Sequence, residues 1–152
     1  PFWLGLKAEK KPLPLTHTAM NRLMFSRDEA ARLVYAAVLK SQDERESFIL
    51  SQKMKTVNMF KLAQIISQNI EHVGLRPGEK LNETLVNEKE VSRTFLEGEF
   101  ITIREYENLG NNKLDVEYSS ENAEFMSEKE MFAMLMEADE NLHKSLLEAR
   151  IY

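Results

Sequence analysis

The sequence predicts an α/β fold, in which short strands alternate with helices in a small, α+β-like layered domain. Short apolar runs are bounded by proline, glycine or polar residues, as strands commonly are. Longer stretches between them carry apolar residues at helical spacing, and two of these stretches begin with a capping box. The 152 residues, of which 43% are hydrophobic and 30% charged, suffice for one folded domain.

The chain opens with a helix, two strands and a second helix. Residues 1–11 predict the end of an amphipathic helix, because the prolines of the following PLPLTH cannot continue it. PLPLTH (12–17) and RLMF (22–25) predict short strands. Ser26 and Glu29 form a capping box, so the second helix begins there, and it continues to about residue 40.

The second helix is predicted to turn its small and branched side chains toward the core. Their spacing places them on one side of the helix. They are Ala30, Leu33, Val34, Ala37 and Val38. The polar run SQDERE that follows predicts a loop.

The middle of the chain predicts two more strands, SFILS (47–51) and IEHVG (70–74), separated by a helix that Asn58 can cap. The segment RPGEK then predicts a turn. Pro77 presets its own φ for the second position of such a turn, and Gly78 tolerates the positive φ required next.

The last part of the chain predicts a short helix capped by Asn87 and two short strands around Gly98, within TFLEGEFITIRE. A loop-rich segment follows at 107–123. Ser127 and Glu130 form another capping box. It begins a helix rich in methionine and leucine, which continues toward the end of the chain.

Composition excludes several classes of function. The net charge of −5 argues against non-specific nucleic-acid binding, and no apolar run is long enough for a membrane span. Zero cysteines exclude disulfides and thiol catalysis and fit a reducing compartment, so we expect a cytoplasmic location. The three histidines are far apart and predict no metal site. The five glycines form neither a G-x-G-x-x-G nor a P-loop pattern.

Two arginines stand out by their context. Arg22 lies at a predicted strand just before a capped helix, and Arg76 opens the predicted turn. The guanidinium is a planar fork of donors suited to phosphate oxygens, and strands and turns hold it more rigidly than a helix surface does. Their pattern alone also fits two ordinary surface arginines with nearby carboxylates.

Two segments, KPLPLTHTAMNRLMFSRDEAARLVYAAV (11–38) and HVGLRPGEKLNETLV (72–86), resemble a known family. They are similar to the C-terminal, substrate-binding half of extended short-chain dehydrogenases that modify nucleotide sugars. The closest group is the UDP-N-acetylglucosamine 4,6-dehydratases of polysaccharide biosynthesis. RPGEKLNETLV matches that group's R-P-G-E-K-L-x-E-x-L, and MNRLMFSRDEA resembles its M-T-R-F-F-M-T-x-x-E-A.

This resemblance implies site residues. Arg22 and Arg76 would hold the two phosphates of UDP. The backbone around Leu13, Pro14 and Leu15 would face the uracil. Three further residues match the motif and are Glu79, Lys80 and Glu83; of these, Glu79 would fix the turn or orient Arg76, and the other two receive no role.

The sequence departs from the family pattern at three places. Asn21 replaces a usual threonine, and Thr16-His17-Thr18 replaces a turn of the Thr-Asp-Pro type. Asn82 lies where the family often has an aromatic residue or histidine. These departures affect the expected sugar preference.

The resemblance also implies a division of labour within the parent enzyme. Residues 1–105 would be a nucleotide-sugar-binding region, and 106–152 a C-terminal loop and helical extension. The parent reaction oxidises the sugar at C4, removes water across C5 and C6, and returns the hydride. The glycine-rich loop and the Tyr-x-x-x-Lys pair that serve NAD or NADP in that family do not occur here. This chain would therefore bind no cofactor and supply no catalytic residue itself.

Several alternatives stay open at this stage. The parent could be a dehydratase, a dehydratase that also epimerises C5, or a 4-epimerase. The chain could instead be a non-catalytic module that binds UDP-sugar or assists assembly. The expected partners are a UDP-sugar, a Rossmann half and further copies of the chain in a homo-oligomer. For the Rossmann half, or for self-association in its absence, we expect an apolar face; its candidates are Phe2, Trp3, Leu4 and Leu6 and also Met131, Met134 and Leu135.

Overall fold

The computed structural model describes residues 2–43 and 46–138, and it has the mixed α/β character that the sequence predicts. Within these residues the helices are α1 Phe2–Ala8, α2 Arg27–Asp43, α3 Met59–Ile66, α4 Glu88–Val91 and α5 Glu128–Ala138. The strands are β1 Leu13–Leu15, β2 Asn21–Met24, β3 Phe48–Gln52, β4 Lys55–Asn58, β5 Ile70–His72, β6 Thr84–Val86, β7 Thr94–Glu97, β8 Phe100–Arg104 and β9 Tyr118–Ser119. The predicted continuation of α5 toward the end of the chain lies outside the described residues.

The chain forms two compact units, each assembled from separate segments. The first comprises residues 2–22, 56–82 and 124–138, and the second comprises residues 23–43, 46–55 and 83–123. Strands β2 and β4 pair with each other. The expected functional boundary at residue 105 stays a prediction.

The first unit is organised around a parallel pair of strands, β1 and β5. Leu13 lies opposite Ile70, and Leu15 lies opposite His72. Helix α3 packs against β1, α1 and α5. The buried apolar residues of this unit come from α1, β1, β4, α3, α5 and the residue before β2; they are Leu4, Leu13, Leu15, Met20, Val57, Leu62, Ala63, Ile66, Met131 and Leu135.

The packing of this unit corrects one expectation. Leu4 of α1 and both Met131 and Leu135 of α5 are buried inside the unit, so these three side chains do not form an exposed apolar face for a partner. The physical reason is α3, whose apolar side packs against both helices. On α1, Phe2 remains 69% exposed.

A parallel bridge fixes the segment that leads into α5. The amide of Thr56 donates to the carbonyl of Glu124 over 2.8 Å, and the amide of Met126 donates to the carbonyl of Thr56 over 2.8 Å. Thr56 is fully buried, so these bonds are protected from water.

The second unit contains a three-stranded antiparallel sheet with β8 between β3 and β7. Strands β7 and β8 form the hairpin predicted around Gly98, whose φ of 65° suits a two-residue loop. A second antiparallel pair joins β6 and β9. The core of this unit consists of Val86, Ile101, Ile103, Tyr118 and Ala123.

Strands β4, β6 and β9 are not evident from the sequence. They have between two and four residues, and β6 and β9 depend on their pairing with each other, which no local pattern reveals. Helix α2 extends to Asp43, three residues beyond the predicted end at about residue 40.

Helix α2 buries less than its pattern predicts. It packs against β3 and has no fully buried residue, and Val34 and Val38 are 65% and 51% exposed. The sheet, which α2 contacts along β3 and through the bond of Lys40 to Glu97 on β7, covers a narrower strip than the predicted apolar side. Ala30, Leu33 and Ala37, which belong to the same predicted side, are half-buried.

A charged cluster lies on the sheet of this unit. Glu97 accepts hydrogen bonds from Lys40 at 2.7 Å and Thr102 at 2.7 Å, and Arg104 Nη2 lies 3.4 Å from it. Burial acts to raise the pKa of Glu97, but the hydrogen bonds from Lys40 and Thr102 and the nearby positive charges outweigh burial. The pKa of this carboxyl therefore lies below its ordinary value of 4.5.

We expect Ile101→Ala to lower the free energy of unfolding by about 2–5 kcal/mol, because it removes a fully buried side chain from a packed core. Ile49→Ala, on the neighbouring strand but 59% exposed, is the matched control and should cost less than about 1 kcal/mol. Urea denaturation followed by circular dichroism measures both. Equal losses would contradict the assigned burial.

We expect Glu97 to contribute a pH-dependent part of the stability. Because its folded pKa is lowered, this contribution is complete above about pH 4.5 and is lost as the pH falls through the lower folded value. Urea unfolding at pH 7, 5, 4 and 3 should show the wild type losing its advantage over Glu97→Gln below that range. Glu107→Gln, which removes an exposed carboxylate of the same unit, should show no such convergence.

Candidate functional site

The candidate site lies at the carboxyl ends of the parallel strands β1 and β5. Because the strands are parallel, the segments that follow them, Thr16–Met20 and Val73–Gly78, leave from the same edge. The amide of Val73 donates to the carbonyl of Leu15 over 2.9 Å and extends the pairing to this edge. In open parallel sheets, ligands bind at such an edge.

The strand expected to face the uracil is built into the first unit. Leu13 and Leu15 are fully buried, and Pro14 is half-buried. The amide of Leu13 donates to the carbonyl of Asn69, and the carbonyl of Leu15 accepts from Val73. These two backbone groups therefore serve the sheet. A contact between this strand and uracil stays a prediction.

Arg22 is held by backbone carbonyls. Its Nη1 donates to the carbonyl of Asn21 over 2.8 Å and to the carbonyl of Leu81 over 3.2 Å. The amide of Asn21 also donates to the carbonyl of Leu81, over 2.9 Å. The side chain of Arg22 is only 22% exposed. Its guanidinium is therefore fixed at one end.

Arg76 begins the turn that the sequence predicts. The amide of Glu79 donates to the carbonyl of Arg76 over 3.0 Å, and Gly78 has a φ of 80°. With Pro77 before Gly78, this is a type II turn. The Arg76 side chain is exposed, and among the described residues its guanidinium has no hydrogen-bond or ion-pair partner.

Glu79 links the two arginines. Its Oε2 accepts the backbone amide of Arg76 at 3.1 Å, and its Oε1 lies 3.9 Å from Nη2 of Arg22. One carboxylate thus fixes the turn and lies beside the guanidinium of Arg22. Glu79 is therefore in contact with both Arg22 and the backbone of Arg76.

The other two motif residues are placed differently. Lys80 is exposed. Glu83 belongs to the second unit, where its amide donates to Ser120 Oγ over 2.9 Å and its carbonyl accepts the Ser120 amide over 2.9 Å. The backbone of Glu83 therefore has a structural role. The motif residues Glu79, Lys80 and Glu83 do not form one cluster of side chains.

Three asparagines near Arg22 form a group that the sequence does not reveal as a site. Asn58 Nδ2 donates to Asn21 Oδ1 over 3.1 Å, and Asn21 Nδ2 donates to Asn82 Oδ1 over 3.0 Å. Asn58 also caps α3, because its Oδ1 accepts the amide of Lys61. The cap was predictable from local sequence, but the pairings join residues that are 37 and 61 positions apart.

The described residues contain neither a cluster of metal-ligating side chains nor a helix that could span a membrane. His17 Nδ1 accepts the amide of Ala19 at 3.0 Å, which gives it a local structural role. Within residues 2–43 and 46–138, no three histidine or carboxylate side chains gather as metal ligands would. None of the helices in those ranges is both long and apolar enough to cross a bilayer.

The chain matches the family model described as "Polysaccharide biosynthesis protein" over residues 1–105. It belongs to that family. The matched range contains both arginines and the whole RPGEK turn, so the site described above lies in the part that the family shares.

The chain is also similar to three curated proteins. An uncharacterized membrane protein of Methanocaldococcus jannaschii is 30% identical over 83% of this chain and 41% of its own length. The UDP-N-acetylglucosamine 4,6-dehydratase (inverting) of Campylobacter jejuni is 30% identical over 62% of this chain and 28% of its own. The probable polysaccharide biosynthesis protein EpsC of Bacillus subtilis is 36% identical over 53% of this chain and 14% of its own.

A solved structure has the same fold. The X-ray structure of Pen from Bacillus thuringiensis superposes with a TM-score of 0.70 at 25% identity, over 86% of this chain and 41% of that one. This chain thus spans less than half the length of each relative to which it is similar.

We expect Asn58→Ala to lower the free energy of unfolding by about 1–2 kcal/mol, because it removes the cap of α3. Asn58→Ser keeps an acceptor for the Lys61 amide and should recover about 1 kcal/mol of that loss. Thermal unfolding followed by circular dichroism measures both. If serine and alanine proved equally costly, the cap would not be the source of the stability.

Proposed function

We propose that this polysaccharide biosynthesis family member binds the UDP part of a nucleotide sugar, as the substrate-binding portion of a 4,6-dehydratase or epimerase. The observation that carries the proposal is the link through Glu79 between Arg22 and the backbone of Arg76. The Glu79 carboxylate bonds to the RPGEK turn and lies beside the Arg22 guanidinium, so Arg22 and the turn are neighbours near the carboxyl ends of the parallel strands β1 and β5.

The two arginines differ in a way that suits a diphosphate. Arg22 is half-buried and its Nη1 is engaged by two carbonyls, so its position is set before any ligand arrives. Arg76 is exposed on a rigid turn and can reorient toward an anion. A fixed and an adjustable guanidinium together can neutralise two phosphate groups.

Glu79 has two roles in this proposal. Its bond to the Arg76 amide keeps the turn in place. Its second oxygen lies 3.9 Å from Arg22, which is at the outer limit of an ion pair and therefore a weak interaction. A phosphate oxygen at hydrogen-bonding distance would be a stronger partner for Arg22 and would not disturb the turn.

The likeness to the C. jejuni dehydratase supports the choice of substrate class. In the parent reaction that we propose, a nicotinamide cofactor takes and returns a hydride. The residues present here do not fit that cofactor, since the glycines at 5, 74, 78, 98 and 110 form no dinucleotide-binding turn. We therefore assign this chain binding and orientation of the nucleotide sugar. A Rossmann partner and a homo-oligomer stay predictions.

We expect Arg76→Ala and Arg22→Ala each to weaken UDP binding about tenfold to a hundredfold, because each removes a charge-assisted hydrogen bond to phosphate. Isothermal titration calorimetry with UDP, in the longest native form of the protein that carries this chain, is the measurement.

Arg32→Ala is the matched control, because Arg32 is an exposed arginine on α2 in the second unit. It removes the same charge and should change the dissociation constant less than about twofold. Unchanged UDP affinity in both Arg22→Ala and Arg76→Ala would overturn the proposed function.

A further inference from the structure

The N-terminus of α3 sets the orientation of three side-chain amide groups, those of Asn58, Asn21 and Asn82. The backbone amide of Lys61 can only donate, so Asn58 must present Oδ1 to it, at 3.0 Å. Asn58 Nδ2 is then directed to Thr18 O at 3.0 Å and to Asn21 Oδ1 at 3.1 Å. Asn21 consequently donates with Nδ2 to Asn82 Oδ1 at 3.0 Å. In this series of three side-chain amides, the hydrogen bonds therefore determine which atom of each group donates and which accepts.

This amide chain ends beside the acceptors of Arg22. The carbonyls that hold Nη1 of Arg22 belong to Asn21 itself and to Leu81, which precedes Asn82. The backbone bond between Asn21 N and Leu81 O, at 2.9 Å, joins the same two segments. A shift between Asn21 and Asn82 would therefore move the two carbonyls that accept from Nη1 of Arg22.

We propose that Asn21 and Asn82 are positioning residues for Arg22. By pairing their side chains they hold the Asn21 and Leu81 carbonyls at the spacing that one guanidinium nitrogen bridges. Arg22 is then ordered before a phosphate binds, and this preorganisation raises affinity for the anion. This inference rests on the proposed UDP binding by Arg22, and it adds the residues through which the chain sets the geometry of that contact.

The test is a double-mutant cycle in UDP binding, measured by titration calorimetry or, for weak variants, by NMR titration. Asn82→Leu keeps a similar side-chain size and removes the acceptor for Asn21. We expect it to weaken UDP binding about threefold to tenfold in the wild-type background. The same loss should occur in the Arg76→Ala background, where Arg22 is intact.

In the Arg22→Ala background, Asn82→Leu should change the UDP dissociation constant less than about 1.5-fold, because the side chain that it positions is gone. A purely structural role, or a direct contact of Asn82 with UDP, would give the same loss with and without Arg22. That result would overturn the inference, as would an unchanged affinity for Asn82→Leu in the wild-type background.

The same double-mutant cycle is measured with Asn82→Ser, which is a smaller change in side-chain shape. Circular dichroism melts establish that each variant is folded. If Asn82→Leu does not fold, the cycle with Asn82→Ser decides in the same way. Should Arg22→Ala and Arg76→Ala both bind UDP normally, the proposed function fails. Should Arg22→Ala weaken binding while the Asn82 variants do not, only the present inference fails.

Discussion

The parallel pairing of β1 with β5 is the constraint on which the candidate site depends. It brings Leu13–Leu15 beside Ile70–His72 and sets both carboxyl ends at one edge. The chain that leaves β1 reaches Arg22, and the chain that leaves β5 reaches Arg76, so the pairing brings these two residues to the same edge. Buried leucines on β1 then anchor this edge in the core of the first unit.

Polar contacts complete what the pairing begins. The Leu81 carbonyl receives both the Asn21 amide and the Arg22 guanidinium, and the carboxylate of Glu79 joins Arg22 to the turn. None of these groups is deeply buried, so each bond contributes modestly to stability. Their effect is geometric: they fix the guanidinium of Arg22 and the backbone from which the Arg76 side chain extends, in a chain whose net charge is −5.

Local signals predicted much of this structure. The capping box of Ser26 with Glu29, the capping boxes at Asn87 and Ser127, and the cap at Asn58 start helices where expected. These features depend on residues two or three positions apart, and such contacts are readable from sequence. The same holds for the turn with Pro77 and Gly78, because the backbone angles of a type II turn favour proline at its second position and glycine at its third.

Features that depend on distant partners were not readable. Strands β6 and β9 exist because they pair with each other across more than thirty positions, and neither is long enough to show a pattern. Asn21 and Asn82 were visible only as two separate departures from a family motif, although they contact each other. The exposure of Val34 and Val38 likewise depends on how much surface β3 offers, which their spacing on α2 does not encode.

The interleaving of the two units has a consequence for the order in which the chain can fold. Strand β1 has no sheet partner until β5 has been synthesised, and Thr56 must wait for the segment at Glu124–Met126. Such distant pairings require the closure of long loops before they yield any stabilising contact. The first unit therefore cannot complete its folding until its last segment has been synthesised. The β7–β8 hairpin, in contrast, can form as soon as its two strands have been synthesised.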